Sequence, residues 1–253
     1  VGDRVSVKLL ASEQGVIESV EPRRNLFQRA EQHRTKRLAA NVDQLAVVIA
    51  AEPAFSEDLV LRMMIAAQVE GISCALIANK SDLIDAWKHF RTRLAVIESL
   101  GYAVFEVSVK HDPAQALGTL SPWFQGKTTV LAGQSGMGKS SLVNLLAPHA
   151  DQATQTISTA LGSGKHTTTS ARQFSFGHGW SGALIDTPGF QTFGIDHISA
   201  SERVHAMPEY QALPRCRFYN CTHREEPGCE IRAAAEAGQV DARRYALFRS
   251  LID

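Results

Sequence analysis

The sequence predicts an α/β chain. A central domain on a mainly parallel sheet is preceded by a segment of short strands and followed by a mainly helical, metal-binding end. Three observations carry this. Continuous apolar runs at 44–51 (QLAVVIAA) and 72–79 (ISCALIAN), as in strands covered on both faces, alternate with stretches of helical spacing. A glycine-rich stretch at 133–141 (GQSGMGKSS) joins a strand to a helix. Three of the four cysteines crowd into 216–229 together with a histidine.

Residues 1–38 read as short strands. Val5 and Val7 alternate with polar residues, and 15–24 (GVIESVEPRR) runs into a turn at Pro22. Arg23, Arg24, Arg29, Arg34, Lys36 and Arg37 form a basic run in which Glu31 is the only acid, a candidate contact for RNA phosphates. The run at 44–51 is a strand, 59–70 (LVLRMMIAAQVE) is helical, and 72–79 is a second buried strand. Over 82–100, Leu83, Trp87, Phe90, Leu94 and Ile97 share one helical stripe. Strands follow at 103–108 and 128–133, then a helix from 139, then a strand ending in 183–189 (ALIDTPG). Strands alternating with helices give a parallel sheet. After 195 short helices take over, the last across 241–252 with Tyr245, Phe248 and Leu251 at helical spacing. The expected domains are 1–38, 39–195 and 196–253. Residues 149–170 are polar, rich in Thr, Ser and Gly, and read as a loop.

The bulk numbers narrow the class. The chain has 253 residues, 44% hydrophobic and 21% charged, enough for a sizeable core. No apolar run approaches the roughly 18 to 20 residues that span a bilayer. The opening Val1-Gly2-Asp3-Arg4 does not read as a signal peptide, so the expectation is a cytoplasmic chain with no membrane partner. Lys plus Arg equals Asp plus Glu, and net charge neither favours nor excludes nucleic acid. In the cytosol, clustered cysteines point to metal before disulfide.

Gly133-Gln134-Ser135-Gly136-Met137-Gly138-Lys139-Ser140 fits the phosphate-loop pattern G-x-x-x-x-G-K-[ST], in the strand–helix context that the pattern needs, with Ser141 next in the helix. Its backbone N–H groups can wrap phosphates, Lys139 can reach the β- and γ-phosphates, and the Ser140 hydroxyl can bind Mg²⁺. Asn79-Lys80-Ser81-Asp82 ends a buried strand. A carboxylate at Asp82 can accept from both guanine N1 and N2, a pair adenine lacks. Asn79 can bond the purine edge and the phosphate loop, and the Lys80 stem can cover the base. Ser108-Val109-Lys110 matches a looser stretch that closes over the base. Asp186-Thr187-Pro188-Gly189, one strand after the phosphate loop, fits D-x-x-G: Asp186 would hold Mg²⁺ through water and the Gly189 N–H would meet the γ-phosphate. One of Thr167, Thr168 and Thr169 completes the Mg²⁺ shell, with Thr168 chosen. The position after D-x-x-G often holds a water-orienting Gln. Here it is Phe190, so His166 is the nearest candidate for that role.

Together these motifs describe a GTP/GDP site whose parts come in an unusual order. The base-reading stretches precede the phosphate loop. The cyclic order is intact and only the cut has moved, so the domain is a circularly permuted P-loop GTPase. In consequence the segment after D-x-x-G leads directly toward the cysteine cluster. There, Cys216, Cys221, His223 and Cys229 offer three thiolates and one imidazole, a set that suits a closed tetrahedral Zn²⁺ site. Two other readings stay open: a P-loop ATPase or small-molecule kinase, against which Asp82 speaks, and a zinc-stabilised RNA-binding module whose nucleotide site is only a switch.

NKSDL, GQSGMGKSSL, GKHTTT, DTPGF and CRFYNCTHREEPGC closely resemble the RsgA (YjeQ/YloQ) family of bacterial GTPases, along nearly the whole chain. The resemblance implies that GVIESVEPRRN is the end of an OB-fold, so that the first segment is a partial OB-fold β-barrel. It implies a late assembly factor that binds the small ribosomal subunit and its rRNA with GTP and leaves after hydrolysis. Hydrolysis is then slow alone and stimulated by the subunit. Other assembly factors are possible partners, and the chain is expected to be a monomer.

Overall fold

The N-terminal segment makes two antiparallel hairpins, β1 (Val5–Ala11) with β2 (Gln14–Val20) and β3 (Leu26–Glu31) with β4 (Arg34–Ala40). The computed structural model describes residues 1–11, 14–31, 34–150 and 170–252. The hairpins differ in how they are held. Val7, Leu9, Val16 and Ile17 of the first remain exposed. The second is part of the core: Phe27, Leu38 and Ala39 are buried, and β4 continues past residue 38 into it. Buried Asn25 fixes the entry to this hairpin by exchanging two 2.8 Å hydrogen bonds with the backbone of Val42.

Five strands lie parallel: β5 (Gln44–Ala50), β6 (Ser73–Asn79), β7 (Ala103–Val107), β8 (Lys127–Gly133) and β10 (Gly182–Asp186). The short β9 (Arg172–Ser175) adds antiparallel to β10 at one edge, giving the order β7-β6-β5-β8-β10-β9. β9 separates the phosphate loop from D-x-x-G by one more strand than expected, yet in space β8 and β10 are direct neighbours. β5 is buried along its whole length, which is why it reads as an unbroken apolar run. Its Leu45, Val47, Val48 and Ile49 are buried and each contributes about 1.5–3 kcal/mol of burial.

Helices α1 (Glu57–Val69), α2 (Ile84–Ser99), α3 (Pro113–Phe124) and α4 (Lys139–Leu146) cover the sheet. On α2 the expected stripe holds, with Phe90, Leu94 and Ile97 buried. The sequence reading had no helix at α3. Asp112 caps it by accepting from the Gln115 N–H at 2.9 Å, Pro113 opens it, and Ala116, Leu120 and Phe124 form its buried face.

Beyond β10 the chain is helical: α5 (Ala200–His205), α6 (Pro208–Gln211), α7 (Glu230–Glu236) and α8 (Ala242–Ile252). Ser199 and Glu202 form a capping box at the start of α5. Arg203 ties this end together. Its guanidinium donates to the carbonyls of Ile198 (2.9 Å), Ile195 (3.1 Å) and Leu251. Arg244 of α8 pairs with Glu209 of α6 at 2.7 Å, with both side chains nearly enclosed. Among the described residues no helix is long and apolar enough to cross a membrane.

Candidate functional site

The loops that follow β6, β7, β8 and β10 all leave the same edge of the parallel sheet, the edge where α/β folds place ligands. They enclose one cavity of about 680 Å³. Asn79, Lys80, Asp82, Ser108 and Lys110 line one part of it, and Gln134, Ser135, Gly136, Gly138, Lys139, Ser140, Ser141 and Gly189 another. Gly133, Met137 and Asp186 do not line it. Met137 turns its side chain into the core, and Asp186 stands behind Lys139. Leu83, Pro188 and Gln191 line it without having been expected there.

Asn79 is the clamp between the two halves. Buried to 3% exposure, it donates through Nδ2 to the Met137 carbonyl at 3.0 Å and accepts from the Val109 N–H at 3.1 Å. Its polar groups thus hold the phosphate loop and the 108–110 loop, rather than standing free toward a base. Gly138 makes this possible. A Cβ there would lie 2.2 Å from Asn79 Nδ2, and its φ of 90° is one that side chains resist. Gln134 turns its side chain away from the cavity, so that Oε1 accepts from the Ser56 N–H at 2.6 Å, just ahead of α1.

On the base side, Asp82 is exposed and lines the cavity. Ser108 is buried and donates its hydroxyl to Asp82 Oδ1. That hydrogen bond holds the Asp82 carboxyl below the ordinary carboxylate range. The carboxylate is therefore an acceptor at neutral pH. Lys80 has a left-handed backbone, φ 65°, and its ammonium donates to the Glu52 carbonyl at 2.7 Å. On the phosphate side, Lys139 and Asp186 form an ion pair, with side chains 10% and 14% exposed. An incoming phosphate would compete for Lys139, and a divalent cation for Asp186.

Phe190 faces away from the cavity. It is buried, its N–H donates to the Gly133 carbonyl at 3.1 Å, and its ring meets Phe193 edge-on at 5.3 Å. Gln191 sits on the cavity side, one position later than an eye on the residue after Gly189 would look. His166, Thr167, Thr168 and Thr169 lie outside the described residues.

The segment after Gly189 does not run straight to the cysteine cluster, as the order of motifs suggested. It first docks on β3. Ala30 donates to the Gly194 carbonyl at 2.8 Å, Arg29 donates to the Thr192 carbonyl at 2.9 Å, and Phe193 meets Phe27 at 5.5 Å. The basic run is partly committed within the chain as well. Arg23 pairs with Asp3, Arg24 with Asp43, and Arg29 and Arg34 with Glu31. Two of these three acids lie outside the run, where sequence proximity could not show them.

Cys216, Cys221, His223 and Cys229 come together, with every ligand atom within 4.8 Å of the others. His223 Nδ1 lies 3.6 Å from Cys216 Sγ and 3.7 Å from Cys229 Sγ. Zn–S bonds of about 2.3 Å and Zn–N bonds of about 2.0–2.1 Å put tetrahedral S···N edges at about 3.6 Å, so the donor set fits zinc. Burial, then the neighbouring thiols, pushes the Cys221 thiol up to about 12. Zn²⁺ would bind thiolates, so its uptake here would release their protons. Glu226 shapes the loop between the ligands by accepting from the N–H groups of Thr222 (2.8 Å) and Arg224 (3.1 Å).

Comparison with known proteins agrees with this geometry. The family model described as RsgA GTPase matches residues 20–196. Small ribosomal subunit biogenesis GTPase RsgA of Paraburkholderia phytofirmans is 48% identical over 256 residues, covering 100% of this chain and 81% of that protein. Its namesake from Ralstonia nicotianae is 48% identical over 255 residues, covering 100% and 80%. Among solved structures, YjeQ from Thermotoga maritima superposes with a TM-score of 0.76 at 29% identity, over 100% of this chain and 82% of that one. YloQ, described as a circularly permuted GTPase, gives 0.73 at 28% identity, over 100% and 79%. With motif loops in permuted order around one cavity and a match that spans the chain, the protein belongs to the RsgA GTPase family.

Proposed function

We propose that this chain hydrolyses GTP in the cavity at the sheet edge and serves the late maturation of the small ribosomal subunit. It binds the subunit and its rRNA in the GTP form, and hydrolysis drives its release. One observation carries the reading: four motif loops meet at a single cavity with an ionised carboxylate at one end and a lysine at the other. Asp82 selects guanine, and Ser108 holds it ionised. Lys80 and Lys110 flank the base, and Asn79 fixes the loops around it. The phosphate loop from Gly133 to Ser141 carries the phosphates, with Lys139 exchanging Asp186 for them. Ser140 and Thr168 would hold Mg²⁺, with Asp186 reaching it through water, and the ion supplies charge neutralisation at the phosphates. Gly189 senses the γ-phosphate, and His166 positions the attacking water. Zn²⁺ on Cys216, Cys221, His223 and Cys229 is structural, because four protein ligands leave no position for water. The chain works in the cytoplasm as a monomer, with other assembly factors as further partners.

The test is release of phosphate from GTP, with and without small subunits and with ATP as control. The expected result is slow turnover alone, and a rise of about 10³ to 10⁵ if the partner completes the site as GTPase partners do. His166→Ala should keep GTP affinity and lose most of the stimulated rate. No stimulation of the parent by the subunit would overturn the ribosomal reading. Stimulation of the variant equal to that of the parent would remove His166 from the role.

A further inference from the structure

We propose that Arg29 of β3 is a positioning residue for GTP hydrolysis, holding the D-x-x-G turn against the phosphate loop from outside the cavity. The inference rests on the reading that Gly189 meets the γ-phosphate. It also separates Arg29 from the rest of the basic run, where sequence alone makes every arginine a candidate RNA contact.

On its inner side the turn rests on the phosphate loop. Phe190 gives its N–H to the Gly133 carbonyl at 3.1 Å, and a Cβ added at Gly189 would stand 3.5 Å from the Ser135 nitrogen. On its outer side stands Arg29. Its guanidinium lies 5.2 Å from the centre of the Phe190 ring, and its Nη1 donates to the Thr192 carbonyl at 2.9 Å. These contacts grip the residues on either side of Gln191, which lines the nucleotide cavity together with Gly189.

The guanidinium is itself held in place. Nη2 donates to Glu31 Oε1 at 2.7 Å. That bond is the chief cause holding the Glu31 carboxyl below the ordinary carboxylate range, so the pair is charged at neutral pH. Nε is buried without a hydrogen-bond partner. Each nitrogen is thus bonded within the chain or enclosed, on a side chain 19% exposed. A planar fork that meets two acceptors and stacks on a ring is work for arginine and not for lysine. Arg34 differs. Its side chain is 79% exposed, and it reaches the same Glu31 at 3.3 Å. Of the two, Arg34 is open to an RNA phosphate, and Arg29 is turned toward the turn.

The test is single-turnover hydrolysis at saturating GTP by the full chain alone, beside GDP affinity and a thermal melt. Arg29→Ala is expected to slow hydrolysis by about ten- to hundredfold, the effect of a reacting geometry displaced by about 1 Å. GDP lacks the γ-phosphate, so its affinity should change little, which a general loosening of the fold would not allow. Arg29→Lys keeps the charge and should not restore the rate, because one ammonium cannot replace the fork and its stacking. Glu31→Gln keeps the shape and should slow hydrolysis about threefold or more, since a charge-assisted bond is about twice as strong as a neutral one. Should Arg29→Ala melt below the assay temperature, Glu31→Gln decides. Against small subunits, Arg29→Ala should keep the salt slope of the parent, whereas Arg34→Gln should reduce it by about 0.7–0.9. A parent-like rate in Arg29→Ala or Glu31→Gln, full rescue by Arg29→Lys, or a reduced salt slope in Arg29→Ala would overturn the inference alone. A parent that does not hydrolyse GTP would overturn the reading of the cavity, and this inference with it.

Discussion

Replacing Asn79 with Ala removes the clamp that joins the two halves of the nucleotide cavity. Two hydrogen bonds are lost, to the Met137 carbonyl at 3.0 Å and from the Val109 N–H at 3.1 Å. Each contributes about 0.5–1.5 kcal/mol net, and each partner left buried without a replacement costs about 1–3 kcal/mol. Met137, Val109 and Asn79 itself are all buried, so water reaches the orphaned groups poorly. A total of about 2–4 kcal/mol follows for the pair. Where nucleotide binding must rebuild the two loops, that energy is drawn from affinity, which falls by about 30- to 900-fold. GDP and GTP should suffer alike, because the clamp supports the phosphate loop and the base loop rather than the D-x-x-G turn. The assay is titration with fluorescent GDP and with a non-hydrolysable GTP analogue, beside a thermal melt of each protein. Parent-like affinity in an Asn79→Ala chain, or a loss confined to the GTP analogue, would refute the reasoning.

Asp82→Asn is expected to relax the preference for guanine, since an amide cannot accept from both guanine N–H groups. The parent should discriminate by as much as about 10⁴ to 10⁵, read by ATP competition against labelled GDP. Cys221→Ala, or removal of metal by a chelator, is expected to raise amide exchange in α7 and α8 while changing GDP affinity little. Metal analysis that finds no zinc in carefully purified protein would reject the site. Binding to the small subunit should weaken steeply with salt. Arg37 forms no ion pair among the described residues, and Arg37→Gln should reduce the slope by about 0.7–0.9 for the one phosphate contact removed. An unchanged slope would remove Arg37 from the interface.

The parts of the fold legible in the sequence are those where one physical signal dominates. β5 is covered on both faces and reads as an unbroken apolar run. The stripe of α2 faces the core and reads as a stripe. The phosphate loop is legible because backbone wrapping demands glycine at fixed spacing. α3 was missed although Asp112-Pro113 opens it and Ala116, Leu120 and Phe124 mark its face. Gly118 and Pro122 lie within it, and both argue against a helix when read locally. β9 has four residues on a sheet edge, too few for alternation to register. The clamp role of Asn79 could not be read, because it depends on where Met137 and Val109 stand in space. The same holds for Gln191. Nothing in DTPGFQ says that Phe190 turns inward, until its N–H is seen to bond Gly133 and its ring to lie against Phe193.

The permuted order gains its meaning from where the chain goes after Gly189. In this fold that stretch is not a free connection. It is stitched to β3 by the Ala30–Gly194 and Arg29–Thr192 hydrogen bonds, and by the ring contacts among Phe27, Phe193 and Phe190, with the Arg29 guanidinium 5.2 Å above the Phe190 ring. It then enters the helical end at Ile195 and Ile198, whose carbonyls Arg203 grips together with that of Leu251 in α8. A shift at Gly189 therefore pulls on the N-terminal hairpin and the C-terminal helices together. The two hydrogen bonds contribute about 0.5–1.5 kcal/mol each. The two aromatic contacts add about 0.5–1.5 kcal/mol each beyond burial. Their sum is a few kcal/mol, comparable with the roughly 5.5 kcal/mol that turns a two-state equilibrium from 1:99 to 99:1. Where Gly189 meets the γ-phosphate as proposed, contacts of this size would be strong enough to transmit a change there and weak enough to be remade in each cycle. A D-x-x-G turn that returned into the sheet would spend the same change inside the core. Cutting the circle elsewhere places it between the two regions flanking the GTPase domain.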